Sequence, residues 1–199
     1  MLETIILSAG QSSRMGRDKA LLDINGIPAI IHIINKVISF SDHIYIILGD
    51  NLESVKSRVL EYFENHDCIS FIHNEVHLKG MFSSIRKGFQ EVKGENGIML
   101  QLIDQPFISQ NVYEELVSNY SSENLIMQPS YIKGEFKRGG HPLVFAPAFK
   151  DIVLSHADEY QLNEIIKKYS ERRKFIEVTD ESILHNLNTK KDFNDKLSG

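Results

Sequence analysis

Cysteine is nearly absent from this chain: Cys68 is the only one. An intrachain disulfide is thereby excluded, and a reducing cytoplasm is the expected setting. Long apolar runs are missing as well. No stretch approaches the roughly 18 uninterrupted apolar residues of a membrane-spanning helix. The opening Met-Leu-Glu-Thr-Ile-Ile has neither the basic start nor the apolar length of a signal peptide, so no membrane partner is expected. Positive charge is not in surplus, since 22 Lys and Arg face 27 Asp and Glu for a net charge of -5. Broad nucleic-acid binding needs a basic surface, so an anionic ligand must be a small one held by local charge. No Gly-x-Ser-x-Gly turn is present, and Cys68, expected in an apolar strand, has no evident activating neighbour, which argues against covalent catalysis.

What is present reads as one ordinary globular domain over residues 1–199, with 42% hydrophobic and 25% charged residues. Short apolar runs at Ile5–Ser8, Ile44–Leu48, Ile69–Ile72, Ile98–Ile103 and Leu125–Met127 predict strands. Amphipathic stretches at about 28–40, 53–65, 81–93 and 109–119 separate them. That alternation predicts an α/β fold, a mostly parallel, doubly wound sheet of Rossmann-like type. After about residue 129, the segment PSYIKGEFKRGGHPLVF predicts a short antiparallel element. Helices at about 147–155 and 161–170, a strand at Phe175–Val178 and a last helix near Thr189 follow.

Ligands of such sheets sit beyond the carboxyl ends of the strands, so what each strand hands to its loop matters. The first hands on LSAGQSSRMGRDKALL. Its glycine spacing fits neither a Walker A loop nor Gly-x-Gly-x-x-Gly. Even so, Gly10 and Gly16 permit close backbone approach, Ser12 and Ser13 add hydroxyls, and Arg14 and Lys19 add fixed positive charge. A loop of that make-up suits a phosphate chain, against the plainer reading of a solvated surface loop. Asp104 ends the most continuous apolar strand, where a carboxylate can hold Mg²⁺ together with phosphate oxygens. Capping of the next helix is its plainer role, and Ser109 suits that role better. The segment KGMFSSI carries Gly80, Met81 and Ser84 at a helix start, where free N–H groups face outward, although simple serine capping explains it equally well. His73 and His77 are four apart but follow a strand, which disfavours zinc. In RGGHP, Gly140 and His141 either make a tight turn or face a ligand. Asn186 and Asn188 precede the last helix, where Thr189 or Asn188 suits the N-cap and an asparagine carbonyl also suits a metal as an oxygen ligand.

Together these segments resemble the nucleotidyltransferases that mature molybdenum cofactor. LSAGQSSRMGRDKALL is similar to their Leu-x-x-Gly-x-Ser-x-Arg-Met-Gly-x-x-Lys signature. GMFSSIRKGF, DQP, GGHPLVF and NLNTKKDF recur in the same order, so the likeness covers nearly the whole chain. The resemblance implies a nucleotide site at Leu7, Ser8, Ala9, Gly10, Ser12, Ser13 and Gly16, with Asn74, Gly80, Met81 and Ser84 toward the nucleoside. It implies Arg14, Lys19 and Asp104 as the catalytic residues. Asp104 would bind Mg²⁺ with Asn188 or Asn186, while Gln105, Gly140 and His141 would lie toward the acceptor. A phosphate of molybdopterin would then attack the α-phosphorus of an NTP and expel pyrophosphate. Leu7-Ser8-Ala9-Gly10 is similar to the cytidylyl branch, so CTP is the favoured donor. NLNT and Asp18-Lys19 are similar to the guanylyl branch, which would use GTP. A sugar-phosphate acceptor is a further enzymatic alternative. The non-enzymatic alternative is a nucleotide-binding accessory protein of molybdoenzyme maturation, and cofactor handover would involve a transient molybdoenzyme or maturation partner. Ile103 and HADEYQLNEII depart from the family pattern, which has Gly before the Asp and Gly-Asp-x-Gly respectively.

Overall fold

The computed structural model describes residues 1–10, 18–64, 67–189 and 192–193. Strand β1 (Leu2–Ser8) is buried along its whole length. A small hairpin, β2 (Asp23–Ile24) with β3 (Ile27–Pro28), turns on Asn25 and Gly26, both at positive φ (54° and 85°). Asn-Gly suits such a turn because it tolerates the left-handed region at both positions. The hairpin lies outside the sequence expectation, because two-residue strands carry no readable period. The chain continues through α1 (Ala29–Val37), β4 (Ser41–Leu48), α2 (Leu52–Leu60) and β5 (Ile69–His73). Then come α3 (Met81–Glu91), β6 (Ile98–Leu102) and α4 (Gln110–Ser118). The last described elements are β7 (Ile126–Lys133), β8 (Phe136–Gly139), β9 (Leu143–Phe145), α5 (Phe149–Leu154), α6 (Leu162–Lys168) and β10 (Arg173–Glu177).

These strands build one eight-stranded sheet in the order β10-β7-β9-β6-β1-β4-β5, with β8 paired to β7. Strands β5, β4, β1 and β6 are parallel, as are β10 and β7. The antiparallel element is not an edge appendage. Its strand β9 is inserted between β6 and β7 and pairs with both. A centrally placed strand must be apolar on both faces, and Leu143, Val144 and Phe145 are all buried.

Period-two alternation splits the core into two layers. Leu2, Ile6, Ile44, Ile46, Met99 and Val144 face α1, α2 and α4. Ile5, Leu7, Tyr45, Ile47, Leu100 and Phe145 face α3, α5 and α6. The parallel strands β1, β4, β5 and β6 therefore release their loops at one sheet edge. Local details depart from the sequence reading in two places. Ser109 stands at the α4 N-cap but makes no side-chain cap bond, and its own amide donates to the Asp180 carboxylate at 2.8 Å. Cys68 lies in the turn before β5 rather than in the strand, partly buried, and its carbonyl accepts the Ile44 amide at 2.7 Å.

Candidate functional site

A cavity of about 410 Å³ opens where β1 and β6 end. Its walls include Leu7, Ser8, Ala9 and Gly10 from β1 and its exit, and Leu102, Ile103 and Asp104 from β6 and its exit. The start of α3 supplies Gly80, Met81 and Ser84, and the C-terminal segment supplies Asn188. Gly80 has φ 119° and offers no capping side chain, so α3 begins at the cavity wall without a side-chain cap. Only glycine enters that backbone region without strain.

The polar centre joins three distant segments. The Lys19 ammonium donates to Asn188 Oδ1 at 3.1 Å and lies 3.6 Å from Asp104 Oδ2. Asp104 Oδ1 is buried with no hydrogen-bond partner among the described residues, and so is the Ser8 hydroxyl. Burial pushes the Asp104 carboxyl above the ordinary carboxylate range, while Lys19 pulls it back. The backbone supports the arrangement: Leu187 donates its amide to the Asp104 carbonyl at 2.7 Å. Just beyond, Asp192 accepts the amides of Asn188 and Thr189 at 3.0 and 2.8 Å. Thr189 Oγ1 in turn takes the Asp192 amide at 3.1 Å, a reciprocal cap that fixes Asn188 beside Asp104.

Other residues singled out in the sequence stand elsewhere. Asn74 is buried and donates to the Ser83 and Ser84 hydroxyls at 3.0 and 2.9 Å, so it braces the start of α3 from inside. Asn186 Oδ1 accepts from Gln105 Nε2 at 2.8 Å, which leaves Asn188 as the asparagine on the cavity wall. Gln105, Gly140 and His141 do not line the cavity. At Gly140 an added Cβ would lie 2.3 Å from the Ile183 carbonyl oxygen, and burial pushes the His141 imidazole down to about 4. Ser12, Ser13, Arg14 and Gly16 lie outside the described residues.

Asn51 escaped the sequence reading, which also gave Asp18 and His77 no place at the nucleotide site. Asp18 and His77 line the cavity, and Asn51 holds its frame. Asn51 Nδ2 donates to the Ser8 carbonyl at 2.9 Å and to Asp18 Oδ2 at 2.8 Å, tying together the residues that flank the first loop. The signal was its place, just past the end of β4. The His77 ring, only 6% exposed, sits 3.1 Å from the Asn74 carbonyl and 3.3 Å from Asp50 Oδ2. Among the described residues no group of three His, Cys, Asp or Glu converges on a metal position.

The MobA-like NTP transferase domain matches residues 4–173. The chain belongs to that family. It is similar to the probable molybdenum cofactor guanylyltransferase of Nostoc sp., at 31% identity over 67% of this chain and 61% of that protein. The chain thus spans about 61% of the length of the first curated relatives it matches. The protein of the same name from Flavobacterium johnsoniae is 25% identical over 98% of this chain and 95% of its own length. In fold the chain is similar to Rv0371c from Mycobacterium tuberculosis H37Rv, with TM-score 0.80, 19% identity and full coverage of both chains. A second structure of that protein is a complex with manganese, at TM-score 0.77 and 17% identity, covering 100% of this chain and 98% of that one.

The donor set of this MobA-like domain fits a hard divalent cation. Mg²⁺ takes one or two carboxylates, leaving its remaining positions to phosphate oxygens and water, so it needs no cage of three acids. Asp104 offers a buried oxygen with no other partner among the described residues, and Asn188 offers a carbonyl beside it. No described helix is long and apolar enough to cross a membrane.

Proposed function

We propose that this chain transfers a nucleoside monophosphate from an NTP to the terminal phosphate of a molybdopterin-type acceptor. The observation that carries the reading is the meeting of Lys19, Asp104 and Asn188 at a strand-end cavity beside an uncapped helix start. In this proposal Asp104 and Asn188 hold Mg²⁺, whose chemistry is to neutralise charge on the triphosphate as it is cleaved. Lys19 sits on the β- and γ-phosphates, with Arg14 from the first loop. The backbone from Ala9 to Gly16, with the hydroxyls of Ser12 and Ser13, follows the phosphate chain. Met81, Ser84 and Gly80 face the nucleoside. An acceptor phosphate oxygen attacks the α-phosphorus in line. The bond from the α-phosphorus to the bridging oxygen breaks, and pyrophosphate leaves with the electron pair. No protein nucleophile is needed, since positioning and charge stabilisation supply the rate.

The names of the curated relatives support GTP as donor. Ala9 at the third position of the opening Leu7-Ser8-Ala9-Gly10 supports CTP, through its likeness to the cytidylyl branch. Product handover to a molybdoenzyme or its maturation partner belongs to the same proposal. Thermal melting with Mg²⁺ and each of GTP, CTP, ATP and UTP tests the donor. A ligand at 100 times its dissociation constant adds about 2.7 kcal/mol. Pyrophosphate release with molybdopterin then tests turnover. A nucleotide-dependent shift without pyrophosphate release would replace the enzyme by a nucleotide-binding accessory protein.

A further inference from the structure

Lys36 is a lysine in a largely apolar layer. It stands on α1, whose Ile30, Ile31, Ile33, Ile34 and Val37 are all buried. Its ammonium donates to the carbonyls of Pro106 at 2.6 Å and Ile108 at 2.7 Å. Both carbonyls belong to the turn that leaves β6 immediately after Asp104. Burial lowers the Lys36 pKa to about 8 against the opposing pull of Asp180, so a cation is kept here in spite of its surroundings. The same stretch is held from the other side. Gln105 Nε2 reaches Asn186 Oδ1 at 2.8 Å and the Ile183 carbonyl at 3.2 Å, while the Leu187 amide holds the Asp104 carbonyl. A turn clamped from two sides fixes where the carboxylate before it points.

We infer that Lys36 is a positioning residue for Asp104, acting through the Pro106–Ile108 turn. The inference rests on the proposed metal role of Asp104. Lys36 lines no part of the cavity, and its action is on the carboxylate's orientation toward a metal ion rather than on nucleotide contact. Partners that orient a metal ligand typically change metal affinity by 10–100-fold when removed.

The test compares Lys36→Met, Lys36→Gln, Lys36→Arg and Asp104→Asn in the full chain. Free Mn²⁺ is followed by electron paramagnetic resonance with saturating GTP and, in parallel, CTP, and metal-free nucleotide affinity is measured alongside. Lys36→Met is expected to weaken Mn²⁺ binding by about tenfold, with metal-free nucleotide affinity unchanged. Lys36→Gln should fall between it and wild type. Lys36→Arg, which retains charge and donors, should recover most of the loss. Should Lys36→Met fail to fold, the glutamine and arginine variants carry the comparison. Wild-type Mn²⁺ affinity in the folded Met or Gln variant would overturn the inference. So would a matching loss of metal-free nucleotide affinity, or an arginine variant as weak as the methionine one. If Asp104→Asn itself kept wild-type Mn²⁺ affinity, the metal reading would fall and this inference with it. A weakened Asp104→Asn beside an unaffected Lys36→Met would remove only the role of Lys36.

Discussion

Lys19 and Asp104 meet across a 3.6 Å gap although 84 residues of chain separate their Cα atoms in sequence, and Asn188 joins them from the far end of the chain. The sheet makes the meeting possible. Strands β1 and β6 are parallel neighbours, so their exit loops emerge side by side. A cation and a carboxylate at that edge have little reason to be half-buried unless a charged ligand completes them.

Removing the Asp104 charge should separate activity from stability. Asp104→Asn keeps the shape of the side chain and takes away the anion proposed to bind the metal. Turnover is expected to drop by about 100-fold or more, the scale of losing one well-placed electrostatic group. Because burial raises the Asp104 pKa, the folded protein holds a proton there more tightly than the unfolded chain does. This group's contribution therefore weakens as pH rises through that window, and the charged form is a cost at neutral pH. The asparagine variant should melt at or above the wild-type temperature. Pyrophosphate release and calorimetry check the two halves.

Metal affinity should carry the same signature. If Asp104 holds the metal as proposed, proton and metal compete for one carboxylate, and apparent Mn²⁺ affinity is expected to fall as pH drops, starting above the usual carboxylate range. Lys19→Ala removes the influence that lowers the Asp104 pKa and should move the midpoint upward. A midpoint unmoved by that change would separate the two residues electrostatically. The measurement is metal titration at stepped pH.

Lys19→Ala also predicts a pattern among ligands. A lysine on the β- and γ-phosphates contributes to triphosphate binding and little to monophosphate binding. The expected loss for NTP is about tenfold, on the scale of one charge-assisted contact. Isothermal titration with GTP, GMP, CTP and CMP reads the difference, and equal losses for tri- and monophosphates would remove Lys19 from that position.

His141 predicts acid lability unrelated to catalysis. Its folded pKa is about 4 against an unfolded value of 6.5. The unfolded chain therefore binds the extra proton first, and stability is lost as pH falls from about 6.5 through 4. The full effect amounts to about 3 kcal/mol. His141→Gln should flatten that part of the stability profile, as urea denaturation at stepped pH would show.

Gly140 tests whether the Gly-Gly-His turn serves the fold. An added Cβ would meet the Ile183 carbonyl oxygen at 2.3 Å, and that neighbour is backbone, not a side chain that can rotate away. Gly140→Ala is expected to cost about 1–3 kcal/mol. The acceptor KM of the surviving folded protein should be unchanged. An altered KM with unaltered stability would return Gly140 to the acceptor side.

By itself the sequence determined the layering and most of the cavity wall. Runs such as Ile44–Leu48 and Ile98–Ile103 are too continuously apolar for anything but strands covered on both faces, and the parallel core followed. Gly10, Lys19, Gly80 and Asp104 were legible because each follows a strand or opens a helix, where backbone geometry exposes them. Only the tertiary structure decided the rest. It inserted β9 between β6 and β7, chose Asn188 over Asn186 for the cavity wall, and turned Asn74 inward to the α3 serines. It also brought Asn51 and Lys36 into play, which no local pattern marks, and gave His77 a place on the cavity wall that its spacing from His73 did not indicate. The physical reason is common to them: strand period and loop chemistry are carried by neighbours in sequence. Which of two similar polar side chains faces a ligand is set instead by hydrogen-bond partners far along the chain.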